Sequence, residues 1–311
     1  MPSVVAPSLL GRVAIIGAGA VGCYYGGRLA EHGHDVHFLL RSDYAAVARD
    51  GLHIMSPLGD ARLRVNAHRT TAGIGPCDLV IIAMKVTANA ALLDLIPPLL
   101  HETTALLTLQ NGLGNEEFLA EHFGGERVLG GLCFVCINRI APGVIHHSAQ
   151  GLIHLGEHTR PPLPRTHRIA AEFQRSRIDC QVVESLSAAR WQKLVWNIPF
   201  NGLSIAAGGL DTAAILADPA LEKRVRALMS EIIETASGLG HQLTANLVED
   251  MIHRTRTMDA YKPSSLVDYL AGREVELEAI WGAPVRQAAD AGLPMPRVRE
   301  LYAELKAELR G

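Results

Sequence analysis

The chain has 311 residues, of which 48% are hydrophobic and 20% charged, and its formal net charge is -3 at pH 7. This length favours two domains with a cleft between them. The balanced charge lacks the basic surface of nucleic-acid-binding proteins, so we expect no nucleic-acid partner. The apolar runs fall far short of the ~20 residues that span a bilayer, and no basic segment of a secretory signal opens the chain, so we expect neither membrane insertion nor secretion.

The five cysteines are few for this length and odd in number, which indicates free thiols in a reducing cytoplasm. Cys133 and Cys136 have the C-x-x-C spacing of zinc and redox sites. They lie in an alternating apolar run and lack a second ligand pair, so we predict no metal site.

Strand and helix patterns alternate through the first half of the chain, as is typical of successive βαβ units. The predicted strands are RVAIIG, DVHFLL, CDLVIIAM and TALLTL, with a small hairpin of LHIM and ARLRV between the second and third. Three further β-like runs, separated by Ala-Pro-Gly and Ala-Gln-Gly turns, predict a meander that finishes the sheet: RVLGGLCFVCINRI, GVIHHS and LIHLGE. The pattern then becomes helical, so we predict an α/β domain over residues 11–184 and an all-α domain over residues 185–311.

A glycine-rich turn directly follows the first predicted strand and opens a helix. Gly17 permits the turn, Gly19 lets a pyrophosphate approach the backbone, and Gly22 lets the helix pack on the strand. The helix N-terminus adds unpaired N–H groups and a positive dipole end. This context favours a Rossmann-type dinucleotide site at Gly17, Ala18, Gly19, Ala20, Val21 and Gly22 over a purely structural turn.

The residue after the second strand distinguishes the two nicotinamide cofactors. An acidic residue there binds the ribose 2′-hydroxyl of NAD, whereas this chain has Arg41, whose planar donors suit a phosphate. NADP is therefore the predicted cofactor. The alternative is that Arg41 is a solvated loop residue and that Asp43 binds the ribose.

Two more polar residues follow predicted strands, Lys85 after LVIIAM and Asn111 after ALLTLQ. Ligands in such folds lie beyond the carboxyl ends of the parallel strands, so we expect both residues at the cofactor. Alone, each is equally compatible with a surface role, and Asn111 with Gly112 also has the sequence of a plain turn.

One polar stripe marks the predicted helix ARWQKLVWNIPFNGLSIA. Lys193, Asn197 and Asn201 are spaced at i, i+4 and i+8, which places them within about 80° of one face. The other faces are apolar, so the helix should be buried, and buried lysines are rare without a partner or a task. The alternative is that Lys193 reaches solvent along its apolar stem while the asparagines cap or bridge helices.

A second polar cluster lies in YKPSSLVDYLAGREVELEAIWG. Ser264 or Ser265 could cap a helix, with Asp268 as an acid of the first turn. Glu276 and Glu278 lie in an amphipathic run whose exposed face could explain both, so periodicity alone selects no catalytic glutamate.

Taken together, these segments resemble the ketopantoate reductase (2-dehydropantoate 2-reductase) family over nearly the whole chain. The motifs GAGAVG, the Lys85 strand end, QNGLGN, WQKLVWNIPFN and PSSLVDYLAGREVE occur in the order and with the approximate spacings of that family. The resemblance implies reduction of ketopantoate to pantoate with NADPH, on the route to pantothenate and coenzyme A, by a Rossmann domain followed by a helical domain.

The resemblance also assigns roles by position. Lys193 becomes the proton donor, Asn197, Asn201 and Ser264 bind substrate, and Glu276 closes the site over substrate and nicotinamide. The matching cofactor contacts are Gly17 to Gly22, Arg41, Lys85, Asn111 and Cys136, with Glu276 beside them. The chain departs from the family at Asp211, where some members have a substrate-binding asparagine, and at Cys136, a position that is often alanine.

Three functional hypotheses remain at this point. The first is ketopantoate reduction, the second is reduction of another branched 2-keto acid or of an imine, and the third is a non-catalytic NADP-binding sensor. A sensor needs the glycine turn but no proton donor. An enzyme is therefore favoured by the joint presence of Lys193, Asn197, Asn201, Ser264 and Glu276. We expect a cytoplasmic protein with a small 2-keto acid as substrate, and the apolar stripes of its helices are compatible with a homodimer.

Overall fold

A computed structural model describes residues 10–244, 246–258 and 260–310. The described chain divides into two compact units. The first comprises the residues up to Gln110 together with Asn115–Leu186, and the second comprises Asn111–Gly114 and the residues from Ser187 on. The second unit thus includes a short segment that follows a strand of the first.

Ten strands form one sheet in the first unit, in the order β4-β3-β9-β8-β7-β6-β1-β2-β5, with β10 paired to β9. They are β1 Arg12–Ile16, β2 Asp35–Leu39, β3 Leu52–Met55, β4 Ala61–Leu63, β5 Asn66–His68, β6 Leu79–Ile82, β7 Ala105–Thr108, β8 Val128–Ala141, β9 Val144–Glu157 and β10 Cys180–Val182. The six neighbours from β5 to β8 are mutually parallel. Their carboxyl ends therefore share one edge.

The helices of the first unit are α1 Ala20–Glu31, α2 Tyr44–Asp50, α3 Leu92–Leu95, α4 Asn115–Phe123 and α5 Pro164–Arg175. The helices that follow are α6 Leu186–Ala206, α7 Thr212–Ala217, α8 Pro219–Gly238, α9 Leu247–Arg256, α10 Ser264–Leu270, α11 Ala283–Asp290 and α12 Pro296–Glu308. The predicted fold class, an α/β Rossmann-type domain followed by a helical domain, is confirmed. None of the helices in this described part of the chain is long and apolar enough to cross a bilayer.

The central strands are apolar on both faces. In β1, Val13 and Ile15 belong to one core cluster, and Ala14 and Ile16 belong to another on the opposite face. A parallel sheet covered on both faces has strands of this kind, which is why RVAII, LVII and ALLT are continuous apolar runs.

The sheet curls around helix α1. Strands β4 and β5 lie at opposite ends of the strand order, yet only residues 64 and 65 separate them along the chain. A Cβ on Gly26 would meet Ile15 and Phe38, and one on Gly27 would meet Ile54. The two glycines therefore allow α1 to pack closely against β1 and β2 on one side and β3 on the other.

The predicted three-stranded meander is wrong in one respect. GVIHHS and LIHLGE are parts of a single strand, β9, which pairs with β8 as a long antiparallel hairpin. The Ala-Gln-Gly segment is not a turn: Gln150 has φ +63° and Gly151 has φ +136°, and the register of the two strands shifts there. Positive φ values at a glycine-containing site are accommodated as a β-bulge, which has the same sequence signature as a turn.

The helical unit has its own core. Trp191 and Phe200 of α6 are fully buried, and so is Trp281, whose indole N–H donates to the Ile198 carbonyl oxygen at 3.1 Å. Helix α6 is thereby anchored at the centre of its unit. This burial explains why the helix is apolar on all but one face.

Candidate functional site

The glycine turn joins β1 to α1. Gly17 has φ +97°, and a Cβ there would lie 2.1 Å from the Met84 backbone nitrogen, so only glycine fits. A Cβ on Gly22 would lie 2.4 Å from the Gly17 oxygen. At Gly19, in contrast, a Cβ would meet no atom within 4 Å, which leaves the backbone open to an approaching ligand. Ala18, Ala20 and Val21 are half-buried around this opening.

Arg41 and Lys85 follow two other parallel strands of the same unit. Arg41 lies two residues after the end of β2 and is exposed, and Lys85 lies three residues after the end of β6 and is half-buried. Because β6, β1 and β2 are adjacent and parallel, the turn at Gly17 and these two cations lie along one sheet edge. Cys136 lies in the second half of β8 and is half-buried.

Asp43, the alternative ribose ligand, is engaged elsewhere. Its side chain is buried and accepts hydrogen bonds from Arg139 Nη1 at 2.6 Å, from the Gly143 N–H at 3.0 Å and from the Ser42 hydroxyl at 2.8 Å. Burial raises the pKa of Asp43, but the hydrogen bonds from Gly143, Ser42 and Arg139 outweigh it and hold the pKa below its ordinary value. This carboxylate ties the end of β2 to the β8–β9 hairpin.

A partly buried amide network that sequence patterns do not reveal connects the segments after β6 and β7. Gln110 Nε2 donates to the Met84 carbonyl oxygen at 2.9 Å and to Asn89 Oδ1 at 2.7 Å. Asn89 Nδ2 in turn donates to Asn115 Oδ1 at 3.3 Å. The network fixes the backbone on either side of Lys85. Asn89 carries no sequence signal, because its partners are distant along the chain.

The second unit brings Lys193 and Asn111 together. Lys193 of α6 is half-buried, and its Nζ donates to Asn111 Oδ1 at 2.9 Å. An amide oxygen accepts this hydrogen bond without a negative charge. The arrangement therefore presents an ammonium group that can donate a proton or offset negative charge on a neighbouring oxygen.

A widened helical turn, residues Glu278–Gly282, positions Asn111 indirectly. In this π-helical turn the Ala283 N–H donates to the Glu278 oxygen, and Pro284 has no N–H to offer to Ala279. The Ala279 carbonyl accepts instead from the Leu113 N–H at 2.9 Å. The segment that carries Asn111 is thereby bound to the helical unit.

Asn201 joins the polar stripe of α6 to the start of α10. Its Nδ2 donates to the Asn197 carbonyl oxygen at 3.0 Å, and its Oδ1 accepts from the Ser265 N–H at 2.9 Å and from the Ser264 hydroxyl at 3.5 Å. Asn197 and Asn201 are buried, and Ser264 is exposed. The cap of α10 is thus supplied by Asn201, so the sequence alternative in which a serine caps this helix is wrong.

The remaining acidic candidates lie on different elements of the helical unit. Glu276 is half-buried in the segment just before the π-helical turn. Glu278 is exposed and accepts from Arg286 Nη1 at 2.6 Å and from the Tyr302 hydroxyl. Asp211 caps α7 by accepting from the Ala214 N–H at 2.8 Å. The expectation that Asp268 lies in the first turn of α10 is wrong. The residue lies beyond that turn and pairs with Arg273 at 2.9 Å.

All five cysteines are free thiols. Cys133 and Cys180 flank Ile153 on neighbouring strands, so about two strand spacings separate them, too far for a disulfide. Burial raises the pKa of Cys23 and of Cys180 to about 12, which keeps both thiols protonated. Within residues 10–244, 246–258 and 260–310, no group of three or more His, Cys, Asp or Glu side chains could hold a metal ion.

Comparison with known proteins covers both units. Residues 13–160 match the family model of ketopantoate reductase PanE/ApbA, and residues 185–309 match the model of its C-terminal domain.

Individual relatives align over nearly the whole chain. A 2-dehydropantoate 2-reductase of a Nostoc species is 40% identical over 301 residues, which cover 95% of this chain and 94% of the relative. The crystal structure of 2-dehydropantoate 2-reductase from Geobacter metallireducens GS-15 is 45% identical, with a TM-score of 0.93, and the match covers 95% of this chain and 99% of that one. The crystal structure of 2-dehydropantoate 2-reductase from Methylococcus capsulatus is 37% identical, with a TM-score of 0.89, and the match covers 96% of this chain and 97% of that one.

Proposed function

Because this chain belongs to the ketopantoate reductase PanE/ApbA family, a family of pyridine-nucleotide oxidoreductases, we propose that it reduces 2-dehydropantoate to pantoate with NADPH. The carbonyl carbon C2 gains a hydride, its oxygen gains a proton, and NADP⁺ is released. Pantoate formation places the enzyme in pantothenate and coenzyme A biosynthesis.

The observation that carries the proposal is the hydrogen bond from Lys193 Nζ to Asn111 Oδ1. A reductase must protonate the alkoxide that forms as hydride arrives, and a positioned ammonium group does this while offsetting the negative charge. A protein that only senses NADP has no use for such a group. We therefore assign Lys193 as the proton donor and Asn111 as the residue that orients it.

Substrate binding is assigned to the polar residues on and beside α6. An amide nitrogen carries two hydrogens, and the Asn197 carbonyl takes one from Asn201. Asn201 can donate the other to a substrate carboxylate or hydroxyl, with Asn197 and the exposed hydroxyl of Ser264 beside it. Glu276 accepts from the substrate hydroxyl and orients it.

Cofactor binding is assigned to the sheet edge of the first unit. The open backbone at Gly19 and the start of α1 fit a pyrophosphate. NADPH, when bound, supplies the hydride. Arg41 binds its 2′-phosphate, and Lys85 and Cys136 are further cofactor contacts in this unit. Asn111 and Glu276, which belong to the second unit, are assigned as cofactor contacts from the family resemblance alone.

The experiment that tests the proposal is steady-state oxidation of NADPH at a fixed enzyme concentration. Ketopantoate is compared with pyruvate, 2-ketoisovalerate and oxaloacetate. The proposal expects the highest kcat/KM for ketopantoate. A higher kcat/KM for another keto acid would indicate a reductase of the same fold with a different substrate. The absence of turnover with all four keto acids would support the hypothesis of a non-catalytic NADP-binding sensor.

The choice of NADPH over NADH is tested by Arg41→Asp. The substitution removes the phosphate ligand and introduces repulsion, so the KM for NADPH should rise while that for NADH changes little. If the variant kept the wild-type ratio of the two constants, Arg41 would not bind the phosphate.

We further propose a cytoplasmic enzyme that forms a homodimer. Light scattering after size exclusion gives the mass directly, and a mass of one chain at working concentration would contradict the dimer.

A further inference from the structure

The carboxyl ends of β2 and β5 lie side by side. Leu39 and His68, their last residues, are in register, and the Leu40 N–H donates to the His68 oxygen at 2.9 Å. Arg69 follows β5 directly and Arg41 lies two residues after the end of β2, and both are exposed. Because paired strands are about 4.8 Å apart, the two arginines leave the sheet at adjacent points on one edge.

Tyr44 connects these arginines. The guanidinium carbon of Arg69 lies 4.1 Å from the centroid of the Tyr44 ring, and the Tyr44 N–H donates to the Arg41 carbonyl oxygen at 3.3 Å. A guanidinium stacked on an aromatic ring has already lost part of its conformational freedom. Arg69 is therefore preorganised before a ligand binds.

The nearby carboxylate does not neutralise the pair. Asp43 lies between Arg41 and Tyr44 in the chain, but Arg139 Nη1 donates to its Oδ1 at 2.6 Å. Because Arg139 balances the charge of Asp43, the positive charges of Arg41 and Arg69 remain for an anion at this strand end.

We propose that Arg69, held by Tyr44, is a second ligand of the adenosine 2′-phosphate of NADPH and sets the preference for NADPH together with Arg41. The inference rests on the proposed function and specifies its cofactor subsite. In Rossmann folds the adenosine ribose lies at the end of the second strand. Arg41 follows that strand, and Arg69 follows the adjacent strand β5. A phosphate dianion offers enough acceptor oxygens for two planar guanidinium groups.

A different role for Arg69 would be stacking on the adenine ring. Adenine is common to NADP⁺ and NAD⁺, so that role affects both cofactors equally, whereas a phosphate ligand affects NADP⁺ alone. The two roles are therefore distinguished by selectivity.

The test is calorimetric titration of the apoenzyme with NADP⁺, NAD⁺ and adenosine 2′,5′-bisphosphate. Losing a charge-assisted hydrogen bond should weaken binding of NADP⁺ and of the bisphosphate to Arg69→Gln by about tenfold or more, with NAD⁺ nearly unchanged. Tyr44→Leu should reproduce part of this loss, and Tyr44→Phe, which keeps the ring, should not. Arg168→Gln removes an exposed arginine of α5 and is the matched control.

Unchanged NADP⁺ affinity in Arg69→Gln, or equal weakening of NADP⁺ and NAD⁺, would overturn the inference. The variant's thermal midpoint must match the wild type, and Arg69→Lys, which keeps the charge but not the fork, should give an intermediate loss. Because binding is measured without turnover, a protein inactive on every keto acid that still selects NADP⁺ through Arg69 would overturn only the proposed reductase activity. A protein that binds neither cofactor would overturn both.

Discussion

The ammonium group of Lys193 donates to the side-chain oxygen of Asn111 over 2.9 Å, although 82 residues separate the two along the chain. Asn111 stands just after the last predicted strand of the nucleotide-binding segment, and Lys193 on the first helix of the helical unit. The structure groups both residues in that second unit. Asn111, which was predicted at the cofactor, is thus hydrogen-bonded to Lys193, which was predicted at the substrate carbonyl.

Removal of the ammonium group should abolish most of the turnover. Lys193→Ala should lower kcat by at least about two orders of magnitude, because a positioned general acid contributes roughly that much. NADPH binding, measured by titration, should survive. The control is Lys223→Ala, which removes an exposed lysine of α8. Near-normal turnover in Lys193→Ala would defeat the assignment.

The bond between Lys193 and Asn111 should appear as coupling in a double-mutant cycle. Asn111→Ala should lower kcat by about tenfold, because a hydrogen bond to a charged group is lost. In the Lys193→Ala background the same change should cost much less, since the donor is already absent. Additive effects on kcat would show that Asn111 acts independently of Lys193.

Local patterns predicted much of this fold, because the central strands and α6 are determined by burial. The runs of β1, β6 and β7 are apolar on both faces, and the stripe of Lys193, Asn197 and Asn201 follows from helical periodicity alone. Strand β5 was not predicted, since its three residues NAH are too short and too polar to form a pattern.

The partners of the site residues were not predictable in the same way. Asn201 accepts from Ser265, 64 residues away, and Gln110 donates to Asn89, 21 residues away. Such pairs depend on how distant elements meet in the tertiary structure. Asn201 could therefore be placed on a polar stripe, with helix capping as one alternative, but its partner helix α10 could not be identified.

Asp43 should matter for stability and not for cofactor choice. Asp43→Asn removes a buried charge that accepts from Arg139 and Gly143, which should cost about 1.5–3 kcal/mol near neutral pH. The pKa of Asp43 is lowered in the folded protein, so the carboxylate stabilises the fold above the unfolded value of about 3.9 and loses this effect as pH falls through the folded value. The gap between wild type and variant should narrow below about pH 4.

Denaturation curves at several pH values measure this gap for Asp43→Asn. Asp50→Asn is the control. Asp50 is exposed and pairs with Arg49, its neighbour in the chain, so we expect a small effect on stability above pH 4. A shift in the ratio of NADPH to NADH affinity in Asp43→Asn would instead support Asp43 as a ribose ligand.

Alanine substitutions at Gly112 and Gly114 distinguish the cost of backbone strain from the cost of a steric clash in the segment that carries Asn111. Both have positive φ, +81° and +92°. A Cβ on Gly112 would lie 2.4 Å from the Ala279 carbonyl oxygen, whereas one on Gly114 would meet nothing within 4 Å. Gly114→Ala should therefore cost only the left-handed conformation, about 1–2 kcal/mol. Gly112→Ala should cost more and should also displace Asn111 from Lys193.

Thermal midpoints and kcat, measured together, test this pair. About 1 kcal/mol corresponds to a shift of about 2–4 °C in a domain of this size class, so Gly114→Ala should lower the midpoint modestly and leave kcat near the wild-type value. Gly112→Ala should lower the midpoint further and reduce kcat, because the Leu113–Ala279 hydrogen bond can no longer hold the segment in place. Equal effects of the two substitutions would mean that the contact with the π-helical turn does not position Asn111.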